Sequence, residues 1–497
     1  MGGGWRELVV APGEPNPEAI PLGEVIACIW HLSDLHVCDA ESPARMEYLD
    51  RYADPDSPYR SLLGDIGTYR PQEALTVQVA ASMVSAVNAH TTGPVTGRPV
   101  DSVVITGDVT DNAQLNELSW YQGVLDGGEI SPRSGDPTTS SWVGATDPST
   151  WDERFWHPDG PPPGVEPDLP SRRYGYPSIP GLTEAVRRDV RSPGLALPWL
   201  TVPGNHDSLL QGTVVPDNDL RSLALGDERI TGLGPGHDPV SAAQAMGEVG
   251  PARYSHDGTS PRARIEADTA RDFVRPGDFA RVTRGGSSEA TYFASNIGGL
   301  RLIALDTVNP HGGWQGSIDA DQLDWLIAEL EAIGDRVVVI ASHHPSHTIV
   351  NDYAPEHSGR RILGPTIVRT LLAYPSVVAW IAGHVHCHSA TRHGDETTGF
   401  WEITTSSLID WPQQGRILEF IRDTAAGEIA IVSTVIDHLA PAQWSASALD
   451  DPVNLAAISR TLAANDYRLR HDSPRGDRLN SSPAMRNNVW RTRDPLA

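Results

Sequence analysis

Five short stretches of the 497-residue chain place aspartate, asparagine or histidine directly after apolar runs. In chain order they are Asp34-Leu35-His36, Gly107-Asp108, Gly204-Asn205-His206-Asp207, His343-His344-Pro345 and Gly383-His384-Val385-His386. Carboxylate and amide oxygens together with neutral imidazoles suit borderline metals such as Mn, Fe and Zn. Any one stretch alone is more simply explained as a turn or a hydrogen-bonded polar residue. Five stretches of the same type predict a metal site.

Asp108 is the residue around which the other candidate ligands are organised. The β-branched run at 102–105 predicts a short buried strand, and Gly107 allows the chain to turn sharply at its end. A carboxylate placed there with both oxygens free can bridge two cations. Asp111 follows three residues later, so two carboxylates leave the end of this strand together.

The spacing of His384 and His386 carries a second piece of information. If the two were on a strand, residues separated by one position would lie on the same face. On a tight loop after Gly383, each imidazole can instead reach a different metal ion. We therefore predict a loop at this position.

Buried strands and the helices between them must position these ligands. Apolar runs predict strands at 25–31, 102–105, 195–202, 300–306, 337–341, 377–382, 400–404, 416–422 and 428–435. Helical spacing of apolar residues predicts helices after Pro71 and at 319–333 and 363–372. The alternation of strands and helices predicts an α/β fold that begins with a strand, a crossover helix and a parallel strand.

Two long stretches interrupt this alternation, at about 113–194 and 208–290. Both are rich in Gly, Pro and Asp, and little of the first has helical or strand periodicity. The tryptophans of the first stretch favour an ordered insertion. Each insertion follows a ligand-bearing strand end, so we expect both to wall the site. The predicted organisation is a lead-in at 1–24, one domain at 25–436 that contains both insertions, and a C-terminal extension at 437–497.

Composition restricts the possible partners. The net charge is -26 and all 38 basic residues are arginine, so the chain repels polyanions and a nucleic-acid polymer is not expected as a partner. No apolar run approaches the roughly 18 residues of a membrane span, so no membrane partner is expected. The N-terminus has no signal-peptide core, and a cytoplasmic location is expected. Three cysteines exclude a disulfide framework, and the sequence does not indicate an oligomeric state.

The type and order of the five stretches, over residues 34–386, resemble the calcineurin-like metallophosphoesterase superfamily. The resemblance implies a four-layer sandwich of two mixed β-sheets flanked by helices, with large loop insertions and the site at one end of the sheets. It also implies two metal ions, either both divalent or Fe(III) with a divalent ion, drawn from Mn, Fe and Zn. One ion would be bound by Asp34, His36, Asp108 and His386, and the other by Asp108, Asn205, His343 and His384.

The activity implied by the resemblance is hydrolysis of a small phosphomonoester or phosphodiester by a hydroxide that bridges the metals. His206 would protonate the leaving oxygen and would be oriented by Asp111, with Asp207 as the alternative orienting group. Of the adjacent histidines, His343 is assigned as the ligand and His344 as a residue that either supports the ligands from behind or faces the substrate, and the reverse order stays open.

Asn112 stands where Ser/Thr protein phosphatases of the superfamily place an arginine that holds the phosphate. We expect Asn112 to contact substrate but to bind phosphate more weakly than an arginine would. A phosphomonoester dianion carries one more negative charge than a phosphodiester. This replacement, together with the absence of lysine, therefore predicts a preference for phosphodiesters.

Two alternative functions stay open from the sequence. The first is a catalytically silent scaffold of the same fold that binds a partner protein, which loss of a ligand or of His206 would favour. None of these residues is lost. The second is a nuclease of the same superfamily, against which the net charge of -26 and the lack of a basic stripe argue.

Overall fold

The computed structural model describes residue 5 and residues 23–63, 69–242, 259–284, 290–395, 398–468 and 483–497. Its main elements are two six-stranded sheets. In spatial order the first sheet contains β16 (Asn488–Arg493), β15 (Glu428–Asp437), β14 (Gln414–Asp423), β1 (Glu24–Leu32), β2 (Ser102–Ile105) and β5 (Trp199–Thr201). The second contains β12 (Ser389–Gly394), β13 (Gly399–Thr404), β11 (Val377–Ala382), β10 (Val337–Ala341), β9 (Leu300–Ala304) and β8 (Phe293–Ile297).

Both sheets are mixed, and each has a parallel portion. In the first sheet β1, β2 and β5 are parallel, whereas β14, β15 and β16 are antiparallel to their neighbours. In the second sheet β9, β10, β11 and β13 are parallel, with β8 and β12 antiparallel at the two edges. Each strand that precedes a candidate ligand belongs to one of these parallel portions.

The side chains of β1 show how the layers are built. Ile29 lies in the core between the two sheets, together with Val104, Leu302 and Val339. Its neighbour Trp30 points to the opposite face, as alternation along a strand requires, and packs with the outer helices. The resulting order of helices, sheet, sheet and helices confirms the predicted four-layer α/β fold.

Helices cover the two outer faces. Thr76–Ala89 and Leu115–Asp126 cover the first sheet, and Ala320–Glu331 and Gly364–Leu372 cover the second. The helix Ala320–Glu331 begins where Asp319 accepts a hydrogen bond from the Gln322 N–H at 2.8 Å, which is an N-cap. The helices predicted after Pro71, at 319–333 and at 363–372 are confirmed within a few residues.

Both insertions contain regular structure, as the expected order of the first insertion requires. The first contains the helices Leu115–Asp126 and Leu182–Ala185 and a hairpin of β3 (Gly128–Ile130) with β4 (Val190–Ser192). The second contains the helices Asn218–Leu225 and Pro276–Arg284 and a pair of β6 (Glu228–Ile230) with β7 (Arg262–Arg264). The first helix is stabilised at its start by Glu117, whose carboxylate accepts the Gln114 N–H at 3.3 Å.

The described part of the C-terminal segment packs on the sandwich. The helix Pro452–Asn465 lies against Thr76–Ala89, and β16 forms an edge of the first sheet. Trp490 of β16 belongs to the core between the sheets. The division of the chain into lead-in, domain and extension stays a prediction. No helix of the described residues combines the length and apolar character needed to cross a membrane.

Candidate metal centre

The candidate ligands follow the C-terminal ends of parallel strands in both sheets. Asp34 and His36 follow β1, Asp108 follows β2, and Asn205 follows β5. His343 follows β10, and both His384 and His386 follow β11. Because parallel strands of one sheet end at the same edge, this topology collects ligands that are more than 300 positions apart in sequence.

The loops that carry these ligands have an unusual backbone. Asp34, His36, Asp108, His384 and His386 all have positive φ, at 52°, 45°, 50°, 67° and 54°. Only nine non-glycine residues of the described chain have positive φ, so five of the nine are candidate ligands. Each such residue costs on the order of 1–3 kcal/mol and persists only where the surroundings enforce it. The strain is therefore concentrated at this site.

Two glycines allow the ligand loops to approach one another. Gly107 has a φ of 84°, as expected for a sharp turn after β2, and a Cβ there would lie 2.6 Å from the Gly204 nitrogen. Gly383 acts differently, because a Cβ there would lie 1.7 Å from Ser33 Oγ and 2.4 Å from Asp34 Oδ2. The loop predicted around His384 and His386 is present, but Gly383 is needed for close approach and not for a left-handed turn.

The first group of ligands consists of Asp34, His36 and His386, all buried. The Nε2 atom of His386 lies 3.3 Å from Asp34 Oδ1 and 3.2 Å from His36 Nε2. Behind these atoms, His36 Nδ1 lies 3.0 Å from Asp111 Oδ1, and His386 Nδ1 lies 2.7 Å from Asp410 Oδ2. Ionised carboxylates only accept, so Nδ1 of each neutral ring carries the hydrogen and Nε2 presents a lone pair. The Nε2 lone pairs of the two histidines and the Asp34 carboxylate oxygen therefore converge, as the ligands of a metal ion do.

The second group contains Asp108, His343 and His384. His343 Nδ1 donates to the Thr106 carbonyl at 2.7 Å, which leaves Nε2 with the lone pair of the neutral ring. That Nε2 lies 3.1 Å from Asp108 Oδ2 and 3.1 Å from His384 Nδ1. The two groups meet at Asp108, because the same Oδ2 is also 3.7 Å from His36 Nε2. The other oxygen, Oδ1, is not free as expected, since it accepts the His206 N–H at 2.8 Å.

Asn205 provides an independent test of whether the site fits a metal ion. Its Nδ2 donates to the Gly212 carbonyl at 3.0 Å, which fixes the orientation of the amide. Its Oδ1 is buried and has no hydrogen-bond partner in the structure. A buried oxygen left without a partner costs about 1–3 kcal/mol. A bound metal ion would satisfy it, so the donor set fits the metals that the sequence predicts.

Electrostatics within the site favour ionised carboxylates. Burial raises the pKa of Asp108, but His343 and His206 outweigh burial and hold that pKa well below its usual value. The pKa of Asp34 is also lowered, because His386 outweighs the effect of burial. Burial lowers the pKa of His343, but Asp108 more than compensates and raises it to about 9, so at neutral pH Nε2 carries a proton that a bound cation would have to replace. The carboxylates are therefore negatively charged at neutral pH and attract positive charge.

His206 lies beside the first group, with its ring centroid 4.5 Å from that of His36. Its Nδ1 donates to the Asp111 backbone carbonyl at 2.7 Å, whereas the Asp111 carboxylate is 3.7 Å away. The predicted orienting carboxylate is thus replaced by the carbonyl of the same residue, because the carboxylate is already bonded to His36 and to Arg45. Asp207 does not orient the ring either, since it accepts backbone N–H groups of Val109, Thr110 and Gly204.

The two residues expected to contact substrate have their polar side-chain atoms paired within the protein. The Asn112 side chain is buried, where it accepts from Arg45 at 3.2 Å and donates to Glu117 at 2.6 Å. His344 is also buried, and its two ring nitrogens pair with Thr307 Oγ1 at 2.8 Å and the Trp314 carbonyl at 3.0 Å. Contact of either residue with substrate stays a prediction, and these protein partners also suit the alternative in which His344 supports the neighbouring ligands.

Sequence reasoning missed the residues behind the ligands. Arg45 binds Asp111 at 2.5 Å and Glu73 at 2.7 Å, and Arg70 binds Asp410 at 2.9 Å. Each of the two histidines of the first group is therefore backed by a carboxylate, and each carboxylate is backed by an arginine. Asp410 comes shortly after the strand β13, as the candidate ligands come shortly after other strands. A carboxylate in this position is a sequence signal that could have identified it. Nothing in the sequence distinguishes Arg45 or Arg70 from the other arginines.

Comparison with known proteins is consistent with this site. The profile described as calcineurin-like phosphoesterase matches residues 168–388. A cAMP/cGMP dual specificity phosphodiesterase of Mycobacterium tuberculosis is 38% identical over 112 residues, which are 20% of this chain and 35% of that protein. The 3',5'-cyclic adenosine monophosphate phosphodiesterase of Pseudomonas aeruginosa is 30% identical over 92 residues, 18% of this chain and 32% of that protein. The chain thus spans about a third of the length of these relatives.

Two solved structures are also similar to the chain. A dimetal phosphatase from Danio rerio is 13% identical with a TM-score of 0.35, and the match covers 84% of this chain and 100% of that chain. A purple acid phosphatase from yellow lupin is 10% identical with a TM-score of 0.31, over 84% of this chain and 52% of that chain.

Proposed function

From the match of residues 168–388 to the calcineurin-like phosphoesterase profile, we propose that the chain is a metal-dependent phosphoric ester hydrolase that acts on a small phosphodiester. The observation that carries the proposal is the position of Asp108 Oδ2, which lies 3.1 Å from His343 Nε2 and 3.7 Å from His36 Nε2. One carboxylate oxygen thus joins two groups of ligands.

The ligand assignment that we propose follows these two groups. Asp34, His36, Asp108 and His386 would hold one metal ion, and Asp108, Asn205, His343 and His384 would hold the other. When bound, two metal ions would supply activation of the attacking water and neutralise charge on the phosphoryl oxygens. The buried Asn205 Oδ1 without a partner supports its inclusion in the second set.

We assign to His206 the proton that the leaving oxygen needs. Its Nδ1–H donates to the Asp111 carbonyl at 2.7 Å, which fixes the ring orientation and turns Nε2 toward a substrate. To act as the acid, the ring must also carry a proton on Nε2, and transfer of that proton to the leaving oxygen would leave a neutral ring with its hydrogen on Nδ1. The His206 side chain is 18% exposed, whereas those of His36 and His343 are almost completely buried. This combination of a fixed ring and solvent access suits a group that exchanges a proton with substrate.

A preference for phosphodiesters follows from the charges near the site. Arg45 and Arg70 are the arginines behind the ligands, and both are already paired with carboxylates. Neither is available to bind the second negative charge of a phosphomonoester dianion. The names of the two bacterial relatives, both cyclic-nucleotide phosphodiesterases, support the same preference.

The experiment compares bis-p-nitrophenyl phosphate with p-nitrophenyl phosphate on protein loaded with Mn, Zn or Fe at fixed ionic strength. We expect a higher kcat/KM for the diester, and we expect Asp108→Asn to lose both metal content and turnover. A monoester advantage of tenfold or more would overturn the diester preference. Failure of every metal to support hydrolysis of either ester would overturn the proposed activity itself.

A further inference from the structure

An aromatic side chain lies in the open beside the metal ligands. Trp314 is 50% exposed, and its indole stacks on the His384 ring with centroids 5.7 Å apart and planes 19° apart. The Trp314 backbone carbonyl also accepts from His344 Nε2 at 3.0 Å. Trp314 is therefore held against the second ligand group through both its side chain and its backbone.

Three other exposed apolar side chains lie on loops that are hydrogen-bonded to the loop of Trp314. Nine large hydrophobic residues are exposed, and four of them are Val215, Trp314, Val350 and Tyr353. Large apolar side chains exposed together, and not scattered singly, are typical of binding sites. We call these four residues the aromatic wall.

Hydrogen bonds join the three loops that carry the aromatic wall. The Gly316 N–H donates to the Thr348 carbonyl at 3.0 Å, and the Asn351 N–H donates to the Gly316 carbonyl at 3.0 Å. The Gly313 N–H donates to the Thr213 carbonyl at 2.8 Å, which attaches the loop of Val215. These bonds connect the loops through their backbones, so the wall is preformed at the edge of the site.

We propose that the aromatic wall, with Trp314 as its principal contact, binds a planar aromatic group carried by one ester alcohol of the substrate, such as a nucleobase. The inference rests on the proposed function. An indole with an exposed face stacks on any flat aromatic ring, and the contact does not require a cationic partner. Trp314 of the wall stacks directly on the candidate ligand His384. One small substrate can therefore place its phosphoryl group at the candidate ligands and its aromatic ring against Trp314.

The test varies only the ester alcohol that stays on phosphorus. The substrates are the p-nitrophenyl ester of thymidine monophosphate and methyl p-nitrophenyl phosphate, which share a leaving group. We expect Trp314→Leu to reduce the ratio of kcat/KM between the thymidine and methyl esters by about tenfold, mainly through KM. Trp314→Phe keeps a flat ring and should lower the ratio less. Elemental analysis should show unchanged metal content in both variants.

Trp151→Leu is the matched control. Its indole also stacks on a histidine, His157, with centroids 3.8 Å apart, but that histidine bonds the Ala145 and Asp152 carbonyls and is not a candidate ligand. The ratio should stay at the wild-type value in this variant. An equal loss for both esters in Trp314→Leu, or no loss for either, would overturn the proposed subsite.

A binding measurement separates failure of the subsite from failure of the proposed activity. If Mn-loaded wild-type protein hydrolyses neither ester, the proposed activity fails and the subsite is tested by calorimetry with thymidine monophosphate and inorganic phosphate. About tenfold weaker binding of the nucleotide to Trp314→Leu, with phosphate binding unchanged, would support the subsite. Equal nucleotide affinity in wild type and variant would overturn it.

Discussion

Asp410 Oδ2 accepts a hydrogen bond from His386 Nδ1 at 2.7 Å. His386 was a candidate ligand from the sequence, whereas Asp410 was not singled out there. The carboxylate orients the imidazole and makes Nε2 a stronger donor to a metal ion. Asp410→Asn keeps the size of the side chain but removes its charge. We expect about 10–100-fold weaker binding of Mn by titration calorimetry, as is usual when a partner of a metal-bound histidine is changed.

The control for this variant is Asp450→Asn, because the Asp450 side chain is 92% exposed and pairs only with an exposed arginine. It should bind Mn with wild-type affinity. Wild-type affinity in Asp410→Asn as well would show that the carboxylate does not tune His386.

Arg45 supplies the second prediction, because its buried guanidinium pairs with three buried carboxylates. It lies 2.9 Å from Glu47, 2.7 Å from Glu73 and 2.5 Å from Asp111. Arg45→Met would leave these negative charges buried without their cation, which costs about 3–5 kcal/mol in typical cases. Urea denaturation of the metal-free protein measures the change in the free energy of unfolding.

For comparison, Arg188→Met removes an exposed pair with Glu184, where the expected loss is only about 0–1 kcal/mol. A loss in Arg45→Met no larger than in Arg188→Met would mean that the carboxylates of this cluster do not depend on Arg45.

His206 supplies the third prediction. His206→Ala should retain both metal ions, and should lose about 10²–10⁴ in rate for diesters whose leaving alcohol needs a proton. The loss should be smaller for p-nitrophenyl esters, because p-nitrophenolate leaves without protonation. Steady-state rates on phenyl and p-nitrophenyl esters of methyl phosphate distinguish these cases. His357→Ala, at an exposed histidine, serves as the control. Equal losses for both leaving groups would exclude the proton-donor role.

The fourth prediction concerns acid stability and Glu402. Burial raises the pKa of Glu402, but hydrogen bonds from His347, His393 and Ser346 outweigh it and lower the pKa to about 2. A depressed carboxyl pKa adds stability above the unfolded-state value of about 4.5, and the gain is lost as pH falls toward 2. The shift corresponds to about 3 kcal/mol, of which about 2 kcal/mol should be lost by pH 3.

Glu402→Gln cannot titrate, so it should lack this part of the pH dependence. Urea denaturation of metal-free wild type and Glu402→Gln at pH 6 and pH 3 measures the difference. If both proteins lose the same stability between these pH values, Glu402 does not contribute in the way proposed.

The strands and the ligand order were predictable from sequence because both depend on local signals. Short β-branched runs mark buried strands, and each candidate ligand follows one of them. The helix Leu115–Asp126 was missed, although its buried Leu118, Tyr121 and Leu125 recur at helical spacing, because Gly, Pro and Asp dominate the insertion that contains it. The roles of Arg45, Arg70 and Asp410 depend on contacts between distant parts of the chain. A buried arginine and an exposed one look the same in a sequence, so these pairings required the structure.

The left-handed backbone at the ligand positions has a consequence for evolutionary drift. Glycine adopts this conformation without steric cost, so a descendant that no longer bound metal would gain stability by exchanging such residues for glycine. Random mutation would produce such substitutions by glycine, because stabilising substitutions accumulate readily once function no longer selects against them. Aspartate and histidine at all five positions are therefore the residues expected from continuing selection for metal coordination, against the thermodynamic preference of the fold.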